Sequence, residues 1–146
     1  MEAVSERLTG AGVGVFRYQF PYMEEGRRAP DPTGVLIATV RAAIEAAAKA
    51  APELPLFAGG KSLGGRMTST AAAQRALPDV RGIAFLGFPL HAPGKPGRSR
   101  ADHLRSVDVP MLFLQGTRDP LADLGLLRPV LDEICARVVE WVEALS

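Results

Sequence analysis

The stretch LFAGGKSLGGRM, residues 56–67, decides the fold and can be interpreted in two ways. Gly60-Lys61-Ser62 matches the end of a phosphate-binding loop, in which the lysine would hold a nucleotide. The residues from Gly60 to Gly64 also fit the pattern G-x-S-x-G, a sharp turn that presents a nucleophilic serine between a strand and a helix. The first interpretation predicts a nucleotide-binding protein, and the second predicts a hydrolase.

The nucleotide interpretation fails at one position. A phosphate-binding loop needs a glycine five residues before its second glycine. Pro55 occupies that position, and proline has no N–H to donate to a phosphate and cannot adopt a positive φ. No acidic residue obviously ends a second strand to hold magnesium either. The phosphate-binding loop is therefore the weaker interpretation.

The serine-turn interpretation accounts for more of the residues. A serine at such a junction has a strained backbone, and bulky side chains two positions away would clash. Gly60 and Gly64 occupy those two positions. The N–H of Leu63 would then point to the place where an oxyanion forms. The alternative is a tight strand-to-helix turn in which Ser62 only caps the helix.

A second segment, VPMLFLQGTRDP at residues 109–120, favours the hydrolase interpretation. It places Asp119 just after the strand of a later strand–helix unit, where folds with such a serine turn supply an acid in the chain order Ser, Asp/Glu, His. Asp119 could equally be a turn residue before Pro120. The two segments together still indicate nucleophilic chemistry at one edge of a sheet.

Apolar periodicity along the chain alternates between strand and helix patterns. We predict helices over 1–9, 35–51, 66–77 and 129–145, and strands over 13–20, 54–60, 80–90 and 109–116. The predicted fold is a single α/β domain over residues 1–146, with a mostly parallel sheet of about four strands flanked by helices on both faces. Asp31 is predicted to cap the helix that follows Pro32.

Composition limits the classes of partner. A net charge of +1 argues against nucleic acid or an acidic membrane surface, since both reward a basic excess. No signal peptide or membrane-spanning stretch is evident, so the cytoplasm is the expected location. One cysteine and two separated histidines are too few for a metal site, so we expect no bound metal.

With both segments identified, the chain resembles the α/β-hydrolase superfamily. It is most similar to the small bacterial dienelactone-hydrolase-like branch, which is related to a testis-expressed hydrolase-like protein. The matching stretches are GVGVFRYQFPYMEEGRR, GGKSLGGRMTS, GFPLHAPGKP and VPMLFLQGTRDP. The resemblance implies Ser62 as nucleophile, Leu63 N–H as oxyanion donor and Asp119 as triad acid. It also implies an ester, lactone or thioester substrate and no cofactor.

The chain departs from the family pattern at two places. Members begin with an apolar strand that ends in a His-Gly-rich turn, whereas this sequence starts within the helix that follows. Members also carry the triad histidine after the acid, but His91 and His103 both precede Asp119. Losing that histidine in a well-studied serine protease costs about 10⁶-fold in turnover. We therefore expect weak or absent activity, or else a non-catalytic ligand- or protein-binding module.

The remaining candidates line the same predicted edge. His91 could substitute as the base for Ser62, although lining the pocket or bonding to the loop backbone is more ordinary. His103 lies in a short polar helical stretch and is expected to be solvated. The pocket candidates are Gly60, Gly64, Arg66 and Tyr18. Arg66 could orient a substrate carboxylate, although pairing with a neighbouring loop is more ordinary. Because the first strand is absent, the sheet either closes over the gap or leaves a surface through which chains self-associate.

Overall fold

The structure is a computed structural model that describes the backbone of residues 1–144 and the side chains of residues 1–134. The chain divides into two compact units, Met1–Leu54 and Pro55–Ser146. The prediction of a single domain was made from the whole sequence and stays a prediction. No helix within the described residues is long and apolar enough to cross a membrane.

The first unit is helical. It contains α1 (Glu2–Gly10), the single-turn α2 (Pro21–Glu24) and the long α3 (Thr33–Ala50). The buried residues of α3 follow the predicted three- and four-residue spacing: Leu36, Ile37, Val40, Ala43 and Ile44. The helices predicted over 1–9 and 35–51 are confirmed to within two residues.

The predicted cap of α3 is wrong. The residue before the helix is Pro32, and no side chain caps its first turn. The Asp31 carboxylate instead accepts hydrogen bonds from the backbone N–H of Tyr22 at 2.9 Å and from Arg27 at 2.6 Å. The bond from Arg27 lowers the pKa of Asp31. Asp31 therefore fastens the loop 25–30 to α2 rather than starting a helix.

The strand predicted over 13–20 is also wrong. These residues form no strand, and all of them except Phe20 are exposed. Val13, Val15, Phe16 and Tyr18 give the segment a high strand propensity. That propensity is realised only when a neighbouring strand supplies hydrogen bonds, and none pairs with this segment in the described structure.

The second unit contains the sheet. Three parallel strands lie in the order β1 (Leu56–Lys61), β2 (Val80–Leu86) and β3 (Met111–Leu114). Between them run α4 (Leu63–Gln74) and a 3-10 helix (Ser99–Ser106), and α5 (Leu124–Ala144) follows β3. A parallel sheet flanked by helices confirms the predicted α/β class, with three strands in place of about four.

The register of the sheet gives its two faces different surroundings. Ala58, Ile83 and Met111 are partners across the three strands, and so are Gly60, Phe85 and Phe113. On this face Phe85 stacks on Phe113 with ring centroids 4.4 Å apart, and α4 packs close to Gly60 and Phe85. We call it the packed face. The opposite face, which we call the open face, presents Phe57, Leu112 and Leu114, which are 65%, 56% and 53% exposed.

Candidate active site

Ser62 lies in a tight turn between β1 and α4. Its backbone has φ 50° and ψ −117°, a conformation that residues with a side chain rarely adopt. The Ser62 N–H donates to the carbonyl oxygens of Leu86 and Gly87, at 3.3 and 3.1 Å. These bonds fasten the strained serine to the end of β2.

Two glycines allow this turn. A Cβ on Gly60 would lie 2.7 Å from the backbone nitrogen of Gly65, and a Cβ on Gly65 would lie 2.7 Å from the carbonyl oxygen of Gly60. The Cα atoms of both residues therefore lie where α4 and β1 approach most closely. The expected clash of a side chain at Gly60 is confirmed, whereas pocket roles for Gly60 and Gly64 stay predictions. The reason given for Gly64 is wrong, because a Cβ there would meet nothing within 4 Å.

The residue after the serine offers a free donor. Leu63 is the first residue of α4, and the described structure provides no acceptor for its N–H. The first turn of a helix also carries a partial positive charge. A negative oxygen placed there would therefore be stabilised by the Leu63 N–H and by the helix dipole.

Asp119 and Ser62 both lie close to Gly87. The Oδ1 atom of Asp119 accepts a hydrogen bond from the backbone N–H of Leu121 at 2.9 Å, and its Oδ2 accepts one from Nε2 of Gln115 at 2.7 Å. Gly87 has φ 74°, and a Cβ on it would lie 3.4 Å from Oδ2 of Asp119. Since Ser62 donates to the carbonyl of this same glycine, the turn and the acid flank one residue.

Gln115 belongs to this arrangement and was missed at the sequence level. Its Oε1 accepts the N–H of Phe88 at 2.7 Å while its Nε2 donates to Asp119. The side chain therefore connects the segment after β2 to the acid. One signal was available, because Gln115 is the first polar residue after the apolar run of β3.

His91 is buried, at 8% exposure, and both of its ring nitrogens are occupied by backbone groups. Nε2 accepts the N–H of Asp123 at 3.1 Å, which leaves Nδ1 to donate to the carbonyl of Ala92 at 3.0 Å. The ring has no hydrogen bond to Ser62 in the described structure. His91 therefore holds the loop after β2 to the segment that leads into α5, in agreement with the more ordinary interpretation.

The prediction that His103 is solvated is wrong. Its Nε2 lies 2.7 Å from Oγ of Ser69, and the ring is partly buried beside Phe88. Burial, with a smaller effect from the nearby Arg66, lowers the pKa of His103. Ser69 is fully buried in α4, and its Oγ also lies 3.0 Å from the carbonyl oxygen of Arg66. The serine–histidine contact of this chain is thus at Ser69, closed to solvent, and not at Ser62.

Two other candidates lie apart from these contacts. Arg66 is in the first turn of α4, and its backbone N–H donates to the carbonyl of Ser62 at 3.1 Å. The charge of its side chain contributes to the lowered pKa of His103. Tyr18 belongs to the first unit, where its ring meets that of Phe20 edge-on at 5.8 Å. A role for Tyr18 in a pocket therefore stays a prediction.

Comparison with known proteins identifies one family. The model of the family described as "Alpha/beta hydrolase domain" matches residues 1–143, almost the whole sequence. No solved structure matches the chain.

Proposed function

The chain belongs to the alpha/beta hydrolase domain family, and on that premise we propose that it hydrolyses ester, lactone or thioester bonds through Ser62. The observation that supports this most directly is the backbone of Ser62. A non-glycine residue at φ 50° is strained, and such strain persists where surrounding structure enforces it for a purpose. The turn corresponds to the nucleophile elbow of hydrolases with this fold.

The neighbouring groups supply parts of the reaction. Oγ of Ser62 attacks the carbonyl carbon, and the carbonyl oxygen becomes negative as the new C–O bond forms. The free N–H of Leu63 stabilises that charge. The bond to the leaving group then breaks, and water hydrolyses the acyl-enzyme in a second step. Asp119 is the proposed acid of the triad, held in place by Gln115 and Leu121.

The proposed reaction proceeds without a histidine base. His91 bonds to two backbone groups and His103 bonds to Ser69, so neither ring meets Ser62 in the described structure. The serine proton must therefore pass to water or hydroxide, and the serine is a poor nucleophile at neutral pH. We expect this chain to act slowly and to favour esters whose leaving group departs without protonation, such as a nitrophenolate. No cofactor takes part.

The test is covalent labelling with a fluorophosphonate, read as intact mass. Oγ of Ser62 displaces fluoride from phosphorus, and the serine proton is released to solvent. We expect slow labelling of one site that is lost in Ser62→Ala and kept in Ser69→Ala. The second variant is the matched control, because Ser69 has the histidine partner but is fully buried.

Other outcomes would contradict the proposal. Labelling that persists in Ser62→Ala, or disappears in Ser69→Ala while that protein stays folded by circular dichroism, would assign the reactivity elsewhere. A folded protein that is not labelled at high pH would show that Ser62 is unreactive. That result would favour a non-catalytic binding module.

The open face supports self-association as the second candidate. Phe57, Leu112 and Leu114 are each more than half exposed on one side of the sheet. Apolar sheet faces of this kind are usually covered, and two copies could cover each other around a two-fold axis. A concentration-dependent dimer in sedimentation experiments, lost in Leu112→Lys and kept in Arg81→Lys, would support it. A monomer at every concentration would exclude it.

A further inference from the structure

The side chain of Arg66 is in an unusual state. Its Nε is fully buried and has no hydrogen-bond partner in the described structure. Buried donors almost always have a partner, because an unpaired one forfeits its bond to water without replacement. Nε is the only buried side-chain N or O atom without a partner among the described residues. We therefore expect a hydrogen-bond acceptor to bind Nε of Arg66.

The charges around Arg66 have the same sign. Arg100 is half-buried in the 3-10 helix, and its backbone carbonyl bonds with His103, which bonds in turn with Ser69 of α4. Burial lowers the pKa of Arg66, and the charge of Arg100 lowers it further. A guanidinium nevertheless stays protonated in proteins. Two cations are therefore held together at the contact between α4 and the 3-10 helix.

Among the described side chains, no carboxylate forms a salt bridge with either arginine. The salt bridges formed by the described side chains join Arg27, Lys49 and Arg105 to acidic partners, and none of them involves Arg66 or Arg100. Asp102, two residues after Arg100, is exposed, and none of the salt bridges of the described side chains includes it. Two like charges with an unsatisfied buried donor are what an anion-binding site presents when it is empty.

We propose that Arg66 and Arg100 form an anion site beside Ser62, which takes a carboxylate or phosphate group of the substrate. A guanidinium presents its N–H groups in a planar fork that matches either anion. The buried Nε would gain the acceptor that it lacks, and a second cation would add to the attraction. His103 does not compete for the anion through Nε2, because that atom is bonded to Ser69.

The site also restricts the shape of the substrate. Arg66 lies four residues after Ser62, which corresponds to about 6 Å along the axis of α4. A small ester could reach both residues only if its anionic group were several bonds from the reacting carbonyl. This part of the inference rests on the proposed function of Ser62. Binding of a simple anion at Arg66 does not.

The experiment is an NMR titration that follows the Nε–H signals of the arginines, alongside the melting temperature. The probes are inorganic phosphate and succinate, added at constant ionic strength, with chloride as the control. We expect a saturable shift of the Arg66 signal and a rise in melting temperature with phosphate, succinate or both. Chloride should produce neither. Comparing the response to phosphate with the response to succinate separates a phosphate site from a carboxylate site.

Three variants locate the effect. Arg66→Gln should abolish the stabilisation, and Arg100→Gln should weaken anion binding about tenfold or more, as for other charged hydrogen bonds. Arg98→Gln, an exposed arginine of the same segment, should bind like the parent chain. If Arg66→Gln does not fold, the comparison of Arg100→Gln with Arg98→Gln still tests the anion site. Equal responses in Arg98→Gln and Arg100→Gln, or no saturable shift of Arg66, would overturn the site.

A kinetic comparison separates this inference from the proposed function. We expect Arg66→Gln to raise KM for the mono-nitrophenyl ester of succinic acid about tenfold more than it raises KM for nitrophenyl acetate. Anion binding without hydrolysis of either ester would keep the site and reject the hydrolase. Hydrolysis of both esters without anion binding would keep the hydrolase and reject the site.

Discussion

Gln115 donates a hydrogen bond of 2.7 Å to Asp119, and with its other side-chain atom it accepts the N–H of Phe88 at 2.7 Å. One neutral side chain therefore satisfies a backbone donor and a carboxylate together. Because Asp119 is only partly exposed, its position depends on this neighbour. The relationship makes Gln115 a positioning residue for the proposed acid.

We predict that Gln115→Leu lowers the free energy of unfolding by about 1–3 kcal/mol, since it leaves a buried N–H and a carboxylate oxygen without partners. Gln115→Glu should lose more stability at pH 7 than at pH 4, because a second carboxylate would then repel Asp119. Chemical denaturation measures both. Gln74→Leu, at an exposed position of α4, is the control and should change little. An equal loss in both leucine variants would contradict the assignment.

Adjacent glycines of the serine turn should respond in opposite ways. Gly65→Ala would place a methyl group 2.7 Å from the carbonyl of Gly60 and 3.0 Å from the ring of Phe85. Since the nearer atom belongs to the backbone, α4 would have to move, and we predict a loss of about 1–3 kcal/mol. Gly64→Ala meets open space within a helix, where alanine is favoured by up to about 1 kcal/mol.

Thermal unfolding of the two alanine variants checks this pair. The two substitutions are identical and one residue apart, so the difference between them reports packing alone. A destabilised Gly64→Ala together with a tolerated Gly65→Ala would show that the turn has another geometry.

The three strands could be predicted from the sequence because each is a short apolar run bounded by turn residues, as expected for a parallel sheet. It misled over 13–20, where Val13, Val15 and Phe16 suit a strand but no partner strand is present. It placed Ser62 and Asp119 near one edge because the carboxyl ends of parallel strands meet there. These successes depend on local patterns and on topology.

Contacts between distant side chains could not be predicted in this way. Ser69 and His103 are 34 residues apart, and their bond depends on how the 3-10 helix packs against α4. The packing of α4 against β1 and β2 decides that Gly65, not Gly64, is the crowded residue. Neither fact follows from spacing, because spacing does not fix the distance between two packed elements.

Strain at Ser62 predicts a conflict between stability and function. Ser62→Gly and Ser62→Ala both remove the hydroxyl and should both abolish labelling. Only glycine adopts φ 50° without strain, so we predict that Ser62→Gly is more stable than Ser62→Ala by about 1 kcal/mol. At the exposed Ser99, in a helical turn, the order should reverse because glycine is disfavoured there. Alanine more stable than glycine at both positions would show that Ser62 is unstrained.

The bond between Ser69 and His103 predicts an acid-sensitive contact. The pKa of His103 is lowered in the folded protein from an ordinary value of 6.5, chiefly by burial and also by Arg66. The bond of the ring with the Arg100 backbone and the charge of Asp102 oppose that change. The unfolded chain therefore binds the proton more tightly. The contribution of neutral His103 is complete above about pH 6.5 and is lost as the pH falls below that value.

We predict that the free energy of unfolding falls more steeply between pH 7.5 and 5 in the parent chain than in His103→Gln, whose amide can still bond to Ser69 without titrating. Denaturation of both proteins at several pH values measures the difference. The steeper fall of the parent chain should vanish in His103→Gln. Identical slopes in the parent chain and in His103→Gln would mean that His103 binds its proton equally well in the folded and unfolded states. The buried contact with Ser69 would then not be the cause of acid sensitivity.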